Sequence, residues 1–170
     1  MTTTATARRV TLTVHGLPQP KGSTKAFVPR TWASAAYAAG QSPRAVVTSD
    51  NPKVKGWQLA ITAAAVQSRG RTTAFDGPVS VTCAFVLPRP ASYPKRVVHH
   101  VTKPDLDKLA RAVLDALAGV LFGDDAAVTE LHATKGYAFD GCAPGVVITV
   151  VETAPLDAVR DTRPTPRRSA

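Results

Sequence analysis

The chain has few cysteines and few acids, and it lacks any long apolar run. Its two cysteines, Cys83 and Cys142, form no C-x-x-C pair. Two such residues exclude a disulfide framework. The N-terminal MTTTATARR is polar, and no apolar stretch approaches the length of a membrane span. Secretory and membrane-spanning readings therefore fall away, and a reduced, cytoplasmic, soluble protein is expected. No Walker or Rossmann glycine pattern and no internal repeat occur. Charged residues make up 19% and apolar residues 44% of the chain, a globular balance rather than that of a disordered chain. At 170 residues it suits one domain, large enough to hold a core without a staple.

What is present in excess is positive charge. Twenty-one Lys and Arg face 12 Asp and Glu, a net charge of +9. The ends explain only part of it: residues 1–9 and 156–170 carry +2 each, leaving +5 on the body. Nucleic acid is the commonest acidic partner for such a chain. One island runs the other way. Residues 105–125 hold five Asp against one Lys and one Arg. In a polyanion binder those acids would repel phosphate unless a cation neutralised them, so the island points to a metal site.

The chain reads as an α+β domain over residues 9–154, with disordered ends at 1–8 and 155–170. Alternating residues predict strands at 9–15, 79–86, 128–138 and 145–152, with shorter ones at 25–29 and 45–48. The expected sheet is mixed or antiparallel, with two main helices. The first starts at Asn51-Pro52, with Asn51 as N-cap, and runs to Ser68 with Trp57, Ile61, Ala64 and Ala65 on one face. The second covers about 107–119, where Leu109, Ala110, Val113, Leu114 and Leu117 make one apolar stripe. Residues 31–44 are rich in Ala, Gly and Ser and read as a flexible excursion.

Asp107, Arg111 and Asp115 are spaced by four residues and share a helix face, so Arg111 can pair with either acid. Alone, that is a solvated salt-bridged face. Asp105-Leu106-Asp107 and Asp124-Asp125 add to it. Pro104 disfavours helix for Lys103 and so favours an extended approach. Asp105 and Asp107 can then converge on the helix start, where Asp107 suits the N-cap. A chain turning back at Gly119 and Gly123 can return an acid of the later pair toward them. Three such oxygens would hold Mg²⁺, with Mn²⁺ as the substitute ion. Phosphodiester hydrolysis needs an activated water and neutralised charge, which such an ion supplies, and Lys103, Lys108 or Arg111 can take up the remaining charge.

The order Lys103-Pro104-Asp105-Leu106-Asp107-Lys108-Leu109, then Leu114-Asp115-Ala116-Leu117, then Gly123-Asp124-Asp125-Ala126-Ala127-Val128, then Lys135-Gly136-Tyr137 resembles the RusA-type Holliday-junction resolvases. Gly16-x-Pro18-x-Pro20-Lys21-Gly22 and the strand before Pro88-Arg89-Pro90 are similar to that family too. The resemblance covers roughly 10–152 and implies a homodimer that cuts branched four-way DNA junctions by Mg²⁺-dependent paired nicks. It implies metal binding by Asp105, Asp107 and Asp125, with Asp124 as a secondary ligand. It also implies a cytoplasmic, nucleoid-associated role, often of prophage origin. Two positions depart from the family pattern: Lys108 replaces an Asn, and Arg111 replaces a Lys. Arg keeps the charge but donates no proton at neutral pH.

Lys21, Lys25, Arg89, Lys103, Lys108 and Lys135 are the expected DNA contacts, with Arg30, Lys95 and Arg96 as further phosphate candidates. His99 and His100 point to opposite faces if extended, which disfavours a shared metal. Trp57 and Cys83 read as core, and Trp32 as a base-stacking candidate. Two other readings fit the composition: a non-catalytic junction-binding protein and a metal-dependent phosphoryl-transfer enzyme acting on small molecules. A helix-turn-helix factor does not fit, because no second helix of suitable length lies near 107–119.

Overall fold

A computed structural model describes residues 7–22, 24–49, 51–139 and 141–153, without side chains for 24–26 and 46–49. The expected disorder at the ends falls largely on 1–6 and 154–170, outside the described residues. The elements, in order, are β1 (Arg9–His15), β2 (Thr24–Phe27), α1 (Arg30–Ala38), β3 (Val46–Ser49), α2 (Val54–Arg69), β4 (Val79–Leu87), α3 (Leu106–Leu117), β5 (Val128–Tyr137) and β6 (Gly145–Glu152). A 3₁₀ turn, Asp125–Ala127, precedes β5.

Four strands form one mixed sheet in the order β1-β6-β4-β5. β6 runs antiparallel to β1 and to β4, while β4 and β5 are parallel. Parallel neighbours need a crossover, and α3 supplies it. Period-two alternation sends Val10, Leu12 and Val14 of β1 inward with Val79, Val81, Cys83, Phe85 and Leu87 of β4. Leu109, Ala110, Ala112, Val113, Ala116 and Leu117 of α3 close over them. Each large side chain so buried contributes roughly 1.5–3 kcal/mol. Burial also raises the Cys83 thiol to about 12, so it behaves as a small apolar residue. The opposite face of the sheet stays open, with Thr11 and Thr149 hydroxyls 3.2 Å apart. Gly145 lets β6 pass β1, because a Cβ there would lie 2.3 Å from the Val14 carbonyl oxygen.

α2 is stitched to α3 by side chains on its polar edge. Thr62 Oγ1 donates to Ala116 O at 2.9 Å, and Gln58 Nε2 to Ala112 O at 3.4 Å. Arg69 Nη1 donates to Val120 O at 2.7 Å, in the turn after α3. Trp57, Ile61 and Ala65 fill the space beneath, as the apolar spacing of α2 predicts.

Three local outcomes differ from the sequence reading. Asn51 is not the N-cap of α2; Lys53 is. Asn51 is drawn to the preceding loop instead, its Nδ2 donating to Pro20 O at 3.0 Å and Gln19 Oε1 at 3.3 Å. The stretch 31–44 contains a helix, α1, whose alanines favour helical backbone. Gly40, at φ 67°, ends it. Gln41 N donates to Ala36 O at 2.8 Å and Gly40 N to Tyr37 O at 3.1 Å, which is a Schellman closure. Arg8, grouped by the sequence with the N-terminal stretch, donates to the Thr73 and Ala74 carbonyls and lies over the Phe75 ring.

Candidate functional site

The acidic island wraps around α3, and the crossover decides where each acid lands. β4 and β5 run the same way, with Val79 beside Val128 and Leu87 beside Tyr137. α3 runs back against them. Its N-terminus therefore lies at the Leu87–Tyr137 end of the sheet, and its C-terminus at the Val79–Val128 end.

At the N-terminus Asp105 holds the cap position in extended backbone, and Leu109 N donates to its carbonyl at 3.1 Å. Asp107, expected at the cap, is instead in the first turn and exposed. Both carboxylates sit at the positive end of the helix dipole. Lys108 Nζ lies 3.4 Å from Asp105 Oδ2, a half-exposed pair of small energetic weight. A cavity of about 420 Å³ opens beside them, lined by Leu17, Pro20, Asn51, Lys103, Asp105 and Lys108 among others. Its other wall is the Pro18–Lys21 loop, held to α3 by Lys21 N donating to Lys108 O at 2.9 Å.

Lys135 reaches this end from β5. Its ammonium donates to Thr102 O at 2.8 Å and Pro104 O at 2.7 Å, tying down the loop that delivers Lys103 and Asp105. That loop also keeps to the strand edge where His99 bridges to Gly136, with Tyr137 N donating to Val98 O at 2.9 Å. His99 is exposed and His100 buried against Tyr137, with ring centroids 4.6 Å apart, so the adjacent histidines do diverge.

Asp124 and Asp125 do not return to this end. Gly119, at φ 75°, turns the chain sharply, and Gly119 N donates to Phe122 O at 2.7 Å. Phe122 bridges to Phe75 and Ala118, which pins the turn at the far end of the helix. The acidic pair then leads straight into β5. A helix of 12 residues is about 18 Å long, so the two acidic pairs are separated by roughly that distance. A single Mg²⁺ takes its oxygens at about 2.1 Å and cannot span it. Among the described residues no three His, Cys, Asp or Glu side chains gather as a metal group. The three-carboxylate site expected of Asp105, Asp107 and Asp125 is thus not formed within one chain. Asp124 is exposed, and its Oδ1 accepts from Ala126 N at 2.9 Å. That bond, followed by one with Asp125, lowers its pKa from the ordinary value.

The expected DNA contacts also divide. Lys21 pairs with Asp115, which further accepts from Gln58 Nε2 at 3.3 Å. Asp115, one of the two acids within reach of Arg111 by spacing, is thus taken by Lys21, and Arg111 is exposed at the surface of α3. Arg89 is an internal pin: Nε donates to Ala138 O at 3.1 Å, and Nη1 to Pro94 O at 2.8 Å and Val97 O at 2.7 Å. Its guanidinium is held by three backbone carbonyls. Lys135 is held by two carbonyls in the same way. Lys103 is exposed and Lys108 half-buried at the cavity, both beside Asp105, while the Lys25 side chain lies outside the described residues. Sequence reasoning missed Gln58 and Thr62, whose polar groups carried no motif; only their place on α2 in front of α3 reveals them.

A basic α+β domain with acids at both ends of a crossover helix has the makings of a nuclease. The family model for endodeoxyribonuclease RusA matches residues 27–151, and the chain belongs to that family. No curated protein matches it. The family makes it a nuclease of the Holliday-junction resolvase kind, acting on branched DNA. No helix among the described residues is long and apolar enough to cross a membrane.

Proposed function

We propose that this chain is a Mg²⁺-dependent endonuclease that resolves four-way DNA junctions by paired symmetric nicks, in recombination and repair. The family match carries the reading, and the Lys103–Asp107 segment at the mouth of the α3 cavity supports it. The working unit is a homodimer. Asp105 and Asp107 of one copy would hold the ion together with Asp125, and secondarily Asp124, of its partner. The placement of the two acidic pairs at opposite ends of α3 supports this division. A two-fold dimer exchanges such ends reciprocally, giving two equivalent sites for a junction that is itself two-fold.

When bound, Mg²⁺ would stabilise charge on the phosphate and lower the pKa of a water. The chain's own residues do the rest. Lys103 and Arg111 take up phosphate charge at the N-terminus of α3, where the helix dipole adds to theirs. Lys108 neutralises Asp105 until a cation takes its place, which would free the ammonium for phosphate. Lys135 holds the 102–104 carbonyls, so Asp105 presents a fixed carboxylate. Arg111 cannot serve as a proton donor, so protonation of the leaving oxygen falls to solvent.

The test is a labelled synthetic four-way junction beside linear duplex, with Mg²⁺ or EDTA, for the wild type and Asp107→Asn. Paired nicks on the junction alone, absent in EDTA and in the variant, are expected. Tight junction binding without nicks in Mg²⁺ or Mn²⁺ would establish the non-catalytic junction binder instead.

A further inference from the structure

α1 is a helix without a core. Its nine residues bury no side chain. Isolated helices shorter than about 12–15 residues are marginal in water. Yet the 19 residues from Phe27 to Ala45 expose three large aromatics: Phe27 at 51%, Trp32 at 58% and Tyr37 at 71%. The same stretch contains Arg30 and Arg44, both exposed, and no Asp or Glu. A helix this short and this apolar at its surface calls for a partner to cover it.

The position of this arm narrows the partner. It springs from the rim of the Asp105 cavity. Pro20 lies just before β2 and Asn51 just after β3; both line that cavity, and Asn51 Nδ2 joins the two roots by donating to Pro20 O at 3.0 Å. Whatever nucleic acid lies at Asp105 passes the base of the arm. Charge narrows it further. A polyanion meets this acid-free basic arm favourably. Aromatic rings combined with guanidinium groups suit base faces, which are apolar and π-rich.

We propose that the 24–49 arm grips branched DNA at the branch point, with Trp32 and Tyr37 stacking on base faces exposed there and Arg30 and Arg44 on the flanking phosphates. Continuous duplex keeps its bases stacked on one another and offers no such faces. The arm is therefore a selectivity element for branched over linear DNA. This rests on the junction-nuclease reading of the α3 site.

The test measures binding to a four-way junction and to linear duplex in EDTA, and nicking in Mg²⁺, for the wild type, Trp32→Ala, Trp32→Phe and Tyr37→Ala. Sedimentation gives the oligomeric state of each. Because Trp32 is exposed, its removal leaves the core intact. Trp32→Ala is expected to weaken junction binding by about 5- to 150-fold, the range for one stacked base, with duplex binding little changed and Trp32→Phe largely restoring it. A 2-aminopurine at the branch point should change in fluorescence with wild type and not with Trp32→Ala. Equal junction binding by wild type and Trp32→Ala, with wild-type nicking intact, overturns the arm's role and leaves the nuclease reading standing. Loss of self-association by Trp32→Ala makes the occupant a second copy and overturns it too. A wild type that neither prefers nor cuts junctions removes both.

Discussion

At its N-terminal end α3 presents Asp105 and Asp107 among cations: Lys108 at 3.4 Å from Asp105, Lys103 in the same cavity, and Lys135 clamping the loop behind. At its C-terminal end Asp124 and Asp125 stand on an exposed 3₁₀ turn, where a backbone N–H at 2.9 Å is the main stabiliser of Asp124. One end has two carboxylates with a cavity, cations and a fixed loop. The other has two carboxylates on an open surface. An acidic island continuous in sequence thus becomes two separate acidic pairs once a helix lies between its ends.

The largest effect should come from mixing variants of the two pairs. Asp107→Asn and Asp125→Asn are each expected to abolish nicking and to weaken Mn²⁺ binding in titration calorimetry. Random mixing of the two should restore about a quarter of the competent sites, as one intact site per mixed dimer. Mixed dimers would nick one strand of a junction instead of two. If the mixture stays inactive while wild type cuts, the acids act within a single chain and the two-copy site is wrong.

A smaller effect should fall on one end alone. Lys135→Met removes two charge-assisted bonds to the Thr102 and Pro104 carbonyls. Each such bond is worth about 1.5–3 kcal/mol when buried, and partial exposure reduces the pair to roughly 1 kcal/mol. For a domain of this size that lowers Tm by about 2–4 °C. Nicking should fall more than stability does, because Asp105 loses its fixed approach. Unchanged nicking with the lowered Tm would show that the clamp serves the fold only.

The smallest effect is a titration. Followed by NMR, the Asp124 carboxyl should titrate below the ordinary aspartate value, because the Ala126 N–H favours its ionised form. Its folded pKa lies below the unfolded one. Any stabilisation is thus present above the unfolded value and lost as pH falls through the folded one. An ordinary Asp124 pKa would mean that the turn is open in solution and the two ends differ less than described.

Much of the fold was legible because it is local. The alternation of Val10, Leu12 and Val14 predicts β1, and the stripe of Leu109, Val113 and Leu117 predicts α3, since strand and helix periods follow from backbone geometry. The excursion at 31–44 was misread because alanines with Gly and Ser nearby suit both helix and loop. The Lys103–Asp107 motif marked the right end of the right helix. The carbonyl partners of Arg89 and Lys135 were not legible, because a cation near a strand end looks the same in sequence whether it faces solvent or a carbonyl.

The basic balance, the strands and helices of the main sheet, and the motif order of a junction nuclease could all be read along the chain. Those depend on composition and on short-range periodicity. That Asp105 and Asp125 lie at opposite ends of α3, that Asp115 belongs to Lys21, and that α1 stands without a core emerged only from the folded chain. The reason is the parallel pairing of β4 with β5: it forces α3 to run back along the sheet, and no spacing within the motif encodes the direction of its neighbours.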